Sequence, residues 1–249
     1  MDEARRMFEK AIEIRPSDAG ALCGYARMLQ DDGEVDRAED MFAQALEENP
    51  RDPAVLCGYA MLLGGPGLVD EPSEARAMVN SRRAGEMLQL AADLAPEDAT
   101  MQYQYAAYLQ TEVQDYDQAA VFFRRAVQCD PADPSPEILF RHANLMQFRL
   151  RDYAGAEQLY RRLLSNPSLD PKLLTEALAN YGLLLCNCLR RYSAAHRVLE
   201  RVLEIAPDHD EARLGFKFCL MLEERSRTER RGGARAPLDP EPSTLSPRP

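Results

Sequence analysis

The stretch Leu22-Cys23-Gly24-Tyr25-Ala26 returns as Leu56-Cys57-Gly58-Tyr59-Ala60, at a spacing of 34 residues. A return at a fixed spacing of this size is typical of a repeat protein, in which one supersecondary unit is copied and stacked. Within each copy, leucine, tyrosine and alanine stand at i, i+3 and i+4, so they share one face of an α-helix. The sequence therefore predicts an all-helical protein built from stacked units.

A second pattern, present in six copies, predicts the partner helix of each unit. An alanine is followed by a bulky residue four positions on and by a small or aliphatic residue three further, which places all three on one helical face. A proline then ends the helix, because it lacks an N–H and restricts the residue before it. The copies are Ala4-Phe8-Ala11-Pro16, Ala38-Phe42-Ala45-Pro50, Ala84-Leu88-Ala91-Pro96, Ala119-Phe123-Ala126-Pro131, Ala156-Tyr160-Leu163-Pro167 and Ala195-Leu199-Val202-Pro207.

The paired pattern resembles the tetratricopeptide repeat (TPR), whose 34-residue unit carries Leu, Gly or Ala, and Tyr in its first helix and Ala, Phe, Ala and Pro in its second. The resemblance covers about residues 2–222, and the family's Trp is Leu or Gln here. It implies an α-solenoid: a superhelix of antiparallel helix pairs in which the first helices line a concave groove. Small residues on both helices of a pair fit this reading, since they let the two axes approach closely.

The repeats predict a solenoid over residues 1–224 and a disordered tail over 225–249. The tail is rich in Arg, Gly and Pro and carries a net positive charge, so it is either a solvated linker or a segment drawn to the acidic body. The predicted divisions of the solenoid are a half repeat over 1–18, five repeats over 19–52, 53–98, 99–133, 134–170 and 171–208, and a capping helix over 209–224.

Two departures from the repeat are informative. The chain begins with a second helix that has no first helix before it, so Met7 and Phe8 belong either to a fragment of a longer protein or to a docking helix. The second repeat is longer than the first, and the extra residues lie within 64–81. This insertion is either a flexible loop or a segment that contacts a partner, and Glu74 to Val79 is expected to lengthen the following helix.

Charge, composition and motifs exclude several classes of protein. The net charge is −11, and an acidic surface repels phosphate backbones, so no nucleic-acid partner is expected. No apolar run reaches the ~18–20 residues that span a bilayer, and the N-terminus has no secretory signal. The six cysteines and three histidines show no metal-ligand spacing, and no catalytic or cofactor motif is present. We therefore expect a non-enzyme without cofactor or metal, located inside the cell, with the cytoplasm favoured over nucleus or organelle.

The resemblance also implies which side chains face the groove. Asn and Gln can bond a peptide backbone of any sequence, and Arg141 beside Asn144 could hold a carboxylate. We expect recognition in the C-terminal half of the groove, where these polar residues are exposed and aromatic side chains supply apolar anchors. The groove candidates are Arg27, Tyr103, Gln104, Phe140, Arg141, Asn144, Phe148, Asn180 and Asn187.

The function predicted from the sequence is a non-catalytic interaction scaffold that binds a peptide segment or helix of a partner protein. Two alternatives stay open. One is a structural subunit that stacks or self-associates through the N-terminal helix. The other is the repeat arm of a larger enzyme.

Overall fold

A computed structural model of the protein describes residues 2–64 and 74–232, and within these ranges it contains twelve α-helices and no strand. The all-helical repeat fold predicted from the sequence is confirmed. The helices are α1 Asp2–Ile14, α2 Ala19–Asp31, α3 Val35–Glu48, α4 Pro53–Gly64, α5 Glu74–Leu94, α6 Ala99–Tyr108, α7 Tyr116–Cys129, α8 Pro136–Leu145, α9 Tyr153–Leu164, α10 Pro171–Leu183, α11 Tyr192–Ile205 and α12 Asp210–Gly232.

The chain forms two compact units, Met1–Leu159 (unit 1) and Tyr160–Pro249 (unit 2), and each is described by itself. In unit 1, α2 packs on α3, α4 on α5 and α6 on α7, while in unit 2, α11 packs on both α10 and α12. The small residues predicted at the helix crossings are buried in both units. They are Ala26, Ala38, Ala60, Ala84, Ala106, Ala119, Ala143, Ala156, Gly182 and Ala195.

Capping aspartates fix where several first helices begin. Asp18, Asp98 and Asp170 each accept a hydrogen bond from a backbone N–H of the first turn, at 2.8 to 3.1 Å. Asp52 does the same for α4, accepting from the N–H of Ala54 at 2.9 Å. These aspartates follow the repeat proline by two or three positions, so the proline ends one helix and the aspartate starts the next. Both halves of the signal stand in the sequence.

Three first helices end in a π-helical turn that sequence analysis did not foresee. The turns are Leu109–Val113 after α6, Met146–Leu150 after α8 and Leu184–Cys188 after α10. Their cause is visible in the spacing of the small residues, which is one residue longer in these repeats than in the first. A π-turn accommodates one more residue than an α-turn, so it absorbs the insertion while the next helix keeps its register.

A residue in the left-handed backbone region follows each π-turn, directly after the first two and one residue later, beyond Leu189, after the third. Gln114, Arg151 and Arg190 have φ of 59°, 56° and 53°, whereas the first repeat has Gly33 there, with φ of 81°. A side chain in this region costs about 1–2 kcal/mol, because Cβ crowds the following carbonyl. Glycine avoids that cost, so the longer repeats carry a local strain that the first repeat lacks.

We expect Arg190→Gly to stabilise the protein by about 0.5–1 kcal/mol, since relief of the left-handed strain exceeds the entropy that glycine adds to the unfolded chain. The measurement is the free energy of unfolding from chemical denaturation. Arg201→Gly is the matched control, because Arg201 is exposed within α11, and there glycine should cost about 1 kcal/mol. Losses of similar size in both variants would contradict this account.

The structure corrects the predicted C-terminal end of the solenoid. α12 continues to Gly232, so the predicted end of the capping helix at 224 is too early, as is the start of the tail at 225. Residues 223–231 consist largely of Glu and Arg, which favour helix, and the first helix-breaking residue is Gly232. α5 begins at Glu74, in line with the expected lengthening. The rest of the predicted insertion, 65–73, and of the tail, 233–249, lies outside the described residues.

A buried histidine replaces tyrosine at one repeat position. His142 corresponds to Tyr25 and Tyr59, is 3% exposed, and stacks on Phe123 with ring centroids 5.8 Å apart. Neither ring nitrogen has a hydrogen-bond partner. Burial lowers the pKa of His142 from 6.5 to about 4; the charge of Arg124 acts in the same direction and that of Asp152 opposes it. The ring is therefore neutral at pH 7 and serves as an aromatic spacer.

We expect His142→Phe to remove a pH dependence of stability between pH 6.5 and 4. In that window the unfolded wild-type chain binds a proton at this histidine and the folded chain does not, so folding weakens as the pH falls, by up to about 3 kcal/mol. The measurement is the difference in unfolding free energy between wild type and variant across the window. The difference should be small at pH 7 and grow toward pH 4, and a constant difference would contradict the prediction.

Candidate functional site

The first two repeats are joined by an aromatic ring that lies on a glycine. A Cβ added to Gly24 would come within 2.6 Å of Cε1 of Phe8, and one added to Gly58 within 2.8 Å of Cε1 of Phe42. The phenylalanine of each of these two second helices thus packs against the glycine of the next first helix, so closely that a side chain there would require the ring to shift. The same repeat position holds Gln104, Arg141 and Asn180 further along the chain, and these three are groove candidates.

At Gln104 the equivalent contact has opened into a cavity. Leu88 stands where the earlier second helices have phenylalanine, and both residues line a hollow of about 200 Å³ between α4, α5 and α6, named here the α4–α6 pocket. Small residues make room for it, and the amide of Gln104 has no hydrogen-bond partner among the described residues. The full lining is Ala60, Met61, Gly64, Ser81, Ala84, Leu88, Gln104, Ala107, Tyr108, Thr111 and Glu112.

Two contacts hold the walls of the α4–α6 pocket. A Cβ on Gly85 would lie 2.4 Å from Cζ of Tyr108, so this glycine is what lets the tyrosine ring reach the wall. On the rim, the hydroxyl of Ser81 donates to Oε2 of Glu112 at 3.0 Å. The pocket therefore combines an apolar floor with a polar, acidic rim, which suits an apolar side chain flanked by hydrogen-bond donors.

Arg141 is exposed, and its charge is partly offset within its own helix. Its Nε donates to Oε1 of Glu137 at 2.7 Å, and this contact raises the pKa of Arg141. The guanidinium also lies 5.8 Å from the ring centroid of Tyr103 on α6. The arginine thus bridges α6 and α8 in unit 1.

Asn180 differs from what the sequence suggested, because it is half-buried and makes a structural bond. Its side chain hydrogen-bonds the hydroxyl of Tyr160, which is fully buried in unit 2, and burial raises the pKa of that hydroxyl. Here a tyrosine and an asparagine replace the Phe–Gly contact of the first repeats. Our expectation that Asn180 and Asn144 are exposed is wrong, because both side chains are half-buried.

The remaining groove candidates divide by exposure. Phe148 is 56% exposed, and Arg27 and Asn187 are exposed as well, while Tyr103, Phe140 and Asn144 are half-buried. Arg141, Asn144 and Phe148 lie in unit 1 and Asn187 lies in unit 2. The binding role of each stays a prediction.

We expect Asn180→Ala to destabilise the protein by about 1–2 kcal/mol, since it removes a hydrogen bond from a buried hydroxyl. Asn187→Ala is the matched control in the same unit, and because Asn187 is exposed the change should stay within about 0.5 kcal/mol. Thermal and urea unfolding of both variants provide the measurement. Equal, small effects would mean that Asn180 is a surface residue after all.

The N-terminal helix is attached more firmly than the sequence suggested. Phe8 packs forward on Gly24, and its ring centroid lies 6.4 Å from that of Tyr25. An ion pair of 2.8 Å joins Arg5 to Glu34 at the start of α3. Met7 points elsewhere and is 69% exposed. Of the two residues predicted for a docking helix, Met7 is therefore the accessible one, and Phe8 is largely used within unit 1.

Burial suppresses the chemistry of two cysteines in the first two repeats. Burial raises the pKa of Cys23, and raises that of Cys57 to about 11, although the charge of Arg27 opposes both shifts. Thiols held protonated in this way are poor nucleophiles and poor metal ligands. Among the described residues, no three His, Cys, Asp or Glu side chains come together as a metal site. No helix in the described ranges is long and apolar enough to cross a bilayer.

Residues 1–62 match a family model described as tetratricopeptide repeat. Among solved structures, YrrB, titled "a TPR protein with an unusual peptide-binding site", is 20% identical with a TM-score of 0.63, over 84% of this chain and 97% of that one. PilF of Pseudomonas aeruginosa is 20% identical with a TM-score of 0.62, over 85% and 96%.

A third solved structure, the human IFIT1 dimer with PPP-AAAA, is 17% identical with a TM-score of 0.62, and the match covers 86% of this chain but 50% of that one. At these identities the structural likenesses establish a shared fold. Curated protein sequences give no match to this chain.

Proposed function

Because the chain is a tetratricopeptide repeat protein, by its match over residues 1–62 and by its fold, we propose that it binds an extended peptide segment of a partner protein. A protein–protein interaction scaffold is the general role of this fold, and such proteins are generally non-catalytic. The proposed site is the first-helix face of unit 1, anchored in the α4–α6 pocket.

The α4–α6 pocket is the observation that carries this proposal. Its volume of about 200 Å³ is too small for a cofactor but admits one large apolar side chain. The amide of Gln104, at the edge, can donate to and accept from a peptide backbone. Such a pairing of apolar anchor and adaptable polar group is what recognition of an extended segment requires.

The charge of the rim selects the kind of peptide. Glu112 presents a carboxylate beside the pocket, and the whole chain carries a net charge of −11. Arg141, which we expected to attract an acidic feature, is already bonded to Glu137. We therefore propose a segment with one Leu, Ile, Met or Phe anchor next to a Lys or Arg. Arg141 and Asn144 on the neighbouring α8, with Phe148 in the π-turn that follows it, would contact the flanking residues.

The two alternatives draw on weaker observations. Assembly through α1 rests on the exposure of Met7, but Phe8 and Arg5 are committed to contacts inside unit 1. A role as the arm of a larger enzyme has no feature of the described residues in its favour.

Peptide selection followed by pocket filling tests the proposal. Random peptides displayed on phage are selected on the immobilised full chain, and synthetic versions are titrated by isothermal calorimetry. We expect the selected peptides to share an apolar residue beside a basic one. Ala107→Phe should weaken their binding at least about tenfold by filling the pocket, an effect worth about 1.4 kcal/mol.

The matched control is Ala154→Phe, an exposed position on α9 in unit 1, which should bind the peptides as wild type does. The double variant Arg141→Glu with Asn144→Ala separates the two parts of the face. Peptides that bind Ala107→Phe normally and lose affinity only for this double variant would move the site to α8. Binding of a 5′-triphosphate tetraadenylate in place of any peptide would reject the proposal.

A further inference from the structure

The last helix of unit 2 has apolar residues on two opposite faces. Its inner face is small and packed: Ala212 and Cys219 are fully buried, and a Cβ on Gly215 would lie 2.9 Å from Cδ2 of Leu183. Its outer face carries large side chains that remain in solvent. Leu214 is 68% exposed, Phe218 44% and Met221 55%.

The outer face has the spacing of a helix–helix seam. Leu214, Phe218 and Met221 are separated by four and three residues, and continuing this alternation reaches Glu211 on one side and Arg225 on the other, both exposed. These five positions form one stripe along α12, with an apolar centre and a charge at each end. We name this stripe the α12 seam.

We infer that the α12 seam binds the α12 seam of a second copy of this chain, with the two helices antiparallel. Glu211 and Arg225 stand at equal distances of seven residues from Phe218. A two-fold axis at Phe218 therefore brings Glu211 of each copy opposite Arg225 of the other, and the three apolar residues of both copies bury one another. A parallel pair would instead set Glu211 on Glu211 and Arg225 on Arg225, which is repulsive.

The charge pattern is what commits the seam to its own copy. An unrelated apolar segment gains from Leu214, Phe218 and Met221 equally well, whereas a reversed copy of the same stripe also matches both terminal charges. The apolar area is that of three side chains per copy, far below the ~800 Å² per partner of a stable complex. The dimer is accordingly weak and concentration-dependent, and it is independent of the peptide site in unit 1.

Sedimentation velocity of the full chain over a range of concentrations tests this inference. Wild type should dimerise reversibly, and Phe218→Glu and Leu214→Glu should each weaken the dimer at least about tenfold, because a charge is buried in the apolar centre. Both residues are exposed, so circular dichroism and thermal melts should be unchanged. Met7→Glu is the matched control, an exposed methionine on α1 that should leave the dimer intact.

Charge reversal tests the antiparallel arrangement itself. Glu211→Arg and Arg225→Glu should each weaken the dimer, since each creates two like-charge contacts, and the double variant should restore it. A wild type that stays monomeric at every concentration overturns the inference, as does a dimer that survives Phe218→Glu or is lost with Met7→Glu. A double variant as weak as the single ones rules out the antiparallel pairing.

Discussion

The contact between a bulky side chain of one second helix and the facing position of the next first helix is what the rest of the structure depends on. In the first two repeats this is a phenylalanine ring on a glycine, so close that a side chain beneath it would displace the ring. Because each repeat contacts only its neighbours, this contact determines how each repeat is aligned on the next one. Where it changes, the surface changes: Leu88 with Gln104 leaves a pocket, and Tyr160 with Asn180 makes a buried hydrogen bond.

The helices and their pairing could be predicted because they follow from periodicity alone. Small residues at fixed spacing, with a proline after each second helix, specify which faces are buried, and all ten predicted crossing residues are. The π-turns were missed although their cause is printed in the sequence. One additional residue between the small positions can be accommodated either by a longer loop or by a wider helical turn. The spacing alone does not determine which of the two forms.

The site was harder to predict than the fold because the repeat position that faces the groove can either be exposed to solvent or contact the bulky side chain of the preceding helix. Family geometry identifies Gln104, Arg141 and Asn180 as equivalent residues, and all three were treated as surface groups. Whether such a residue faces solvent depends on the bulky partner from the preceding helix, which lies 16 to 20 residues earlier in the sequence. Tyr160 offers a hydroxyl and draws Asn180 inward, whereas Leu88 offers nothing polar and Gln104 lines the pocket.

A comparison of two apolar helices shows why exposure carries more information than composition. α4 is apolar around most of its circumference and is buried there, since α2, α3, α5 and α6 surround it. α12 is apolar on two faces, but α10 and α11 cover only one of them. A helix with a single covered side needs one apolar stripe, and additional large apolar residues in solvent are unfavourable unless something else covers them. The placement of opposite charges at the two ends of the second stripe, rather than its hydrophobicity, is what distinguishes a specific seam from a merely adhesive surface.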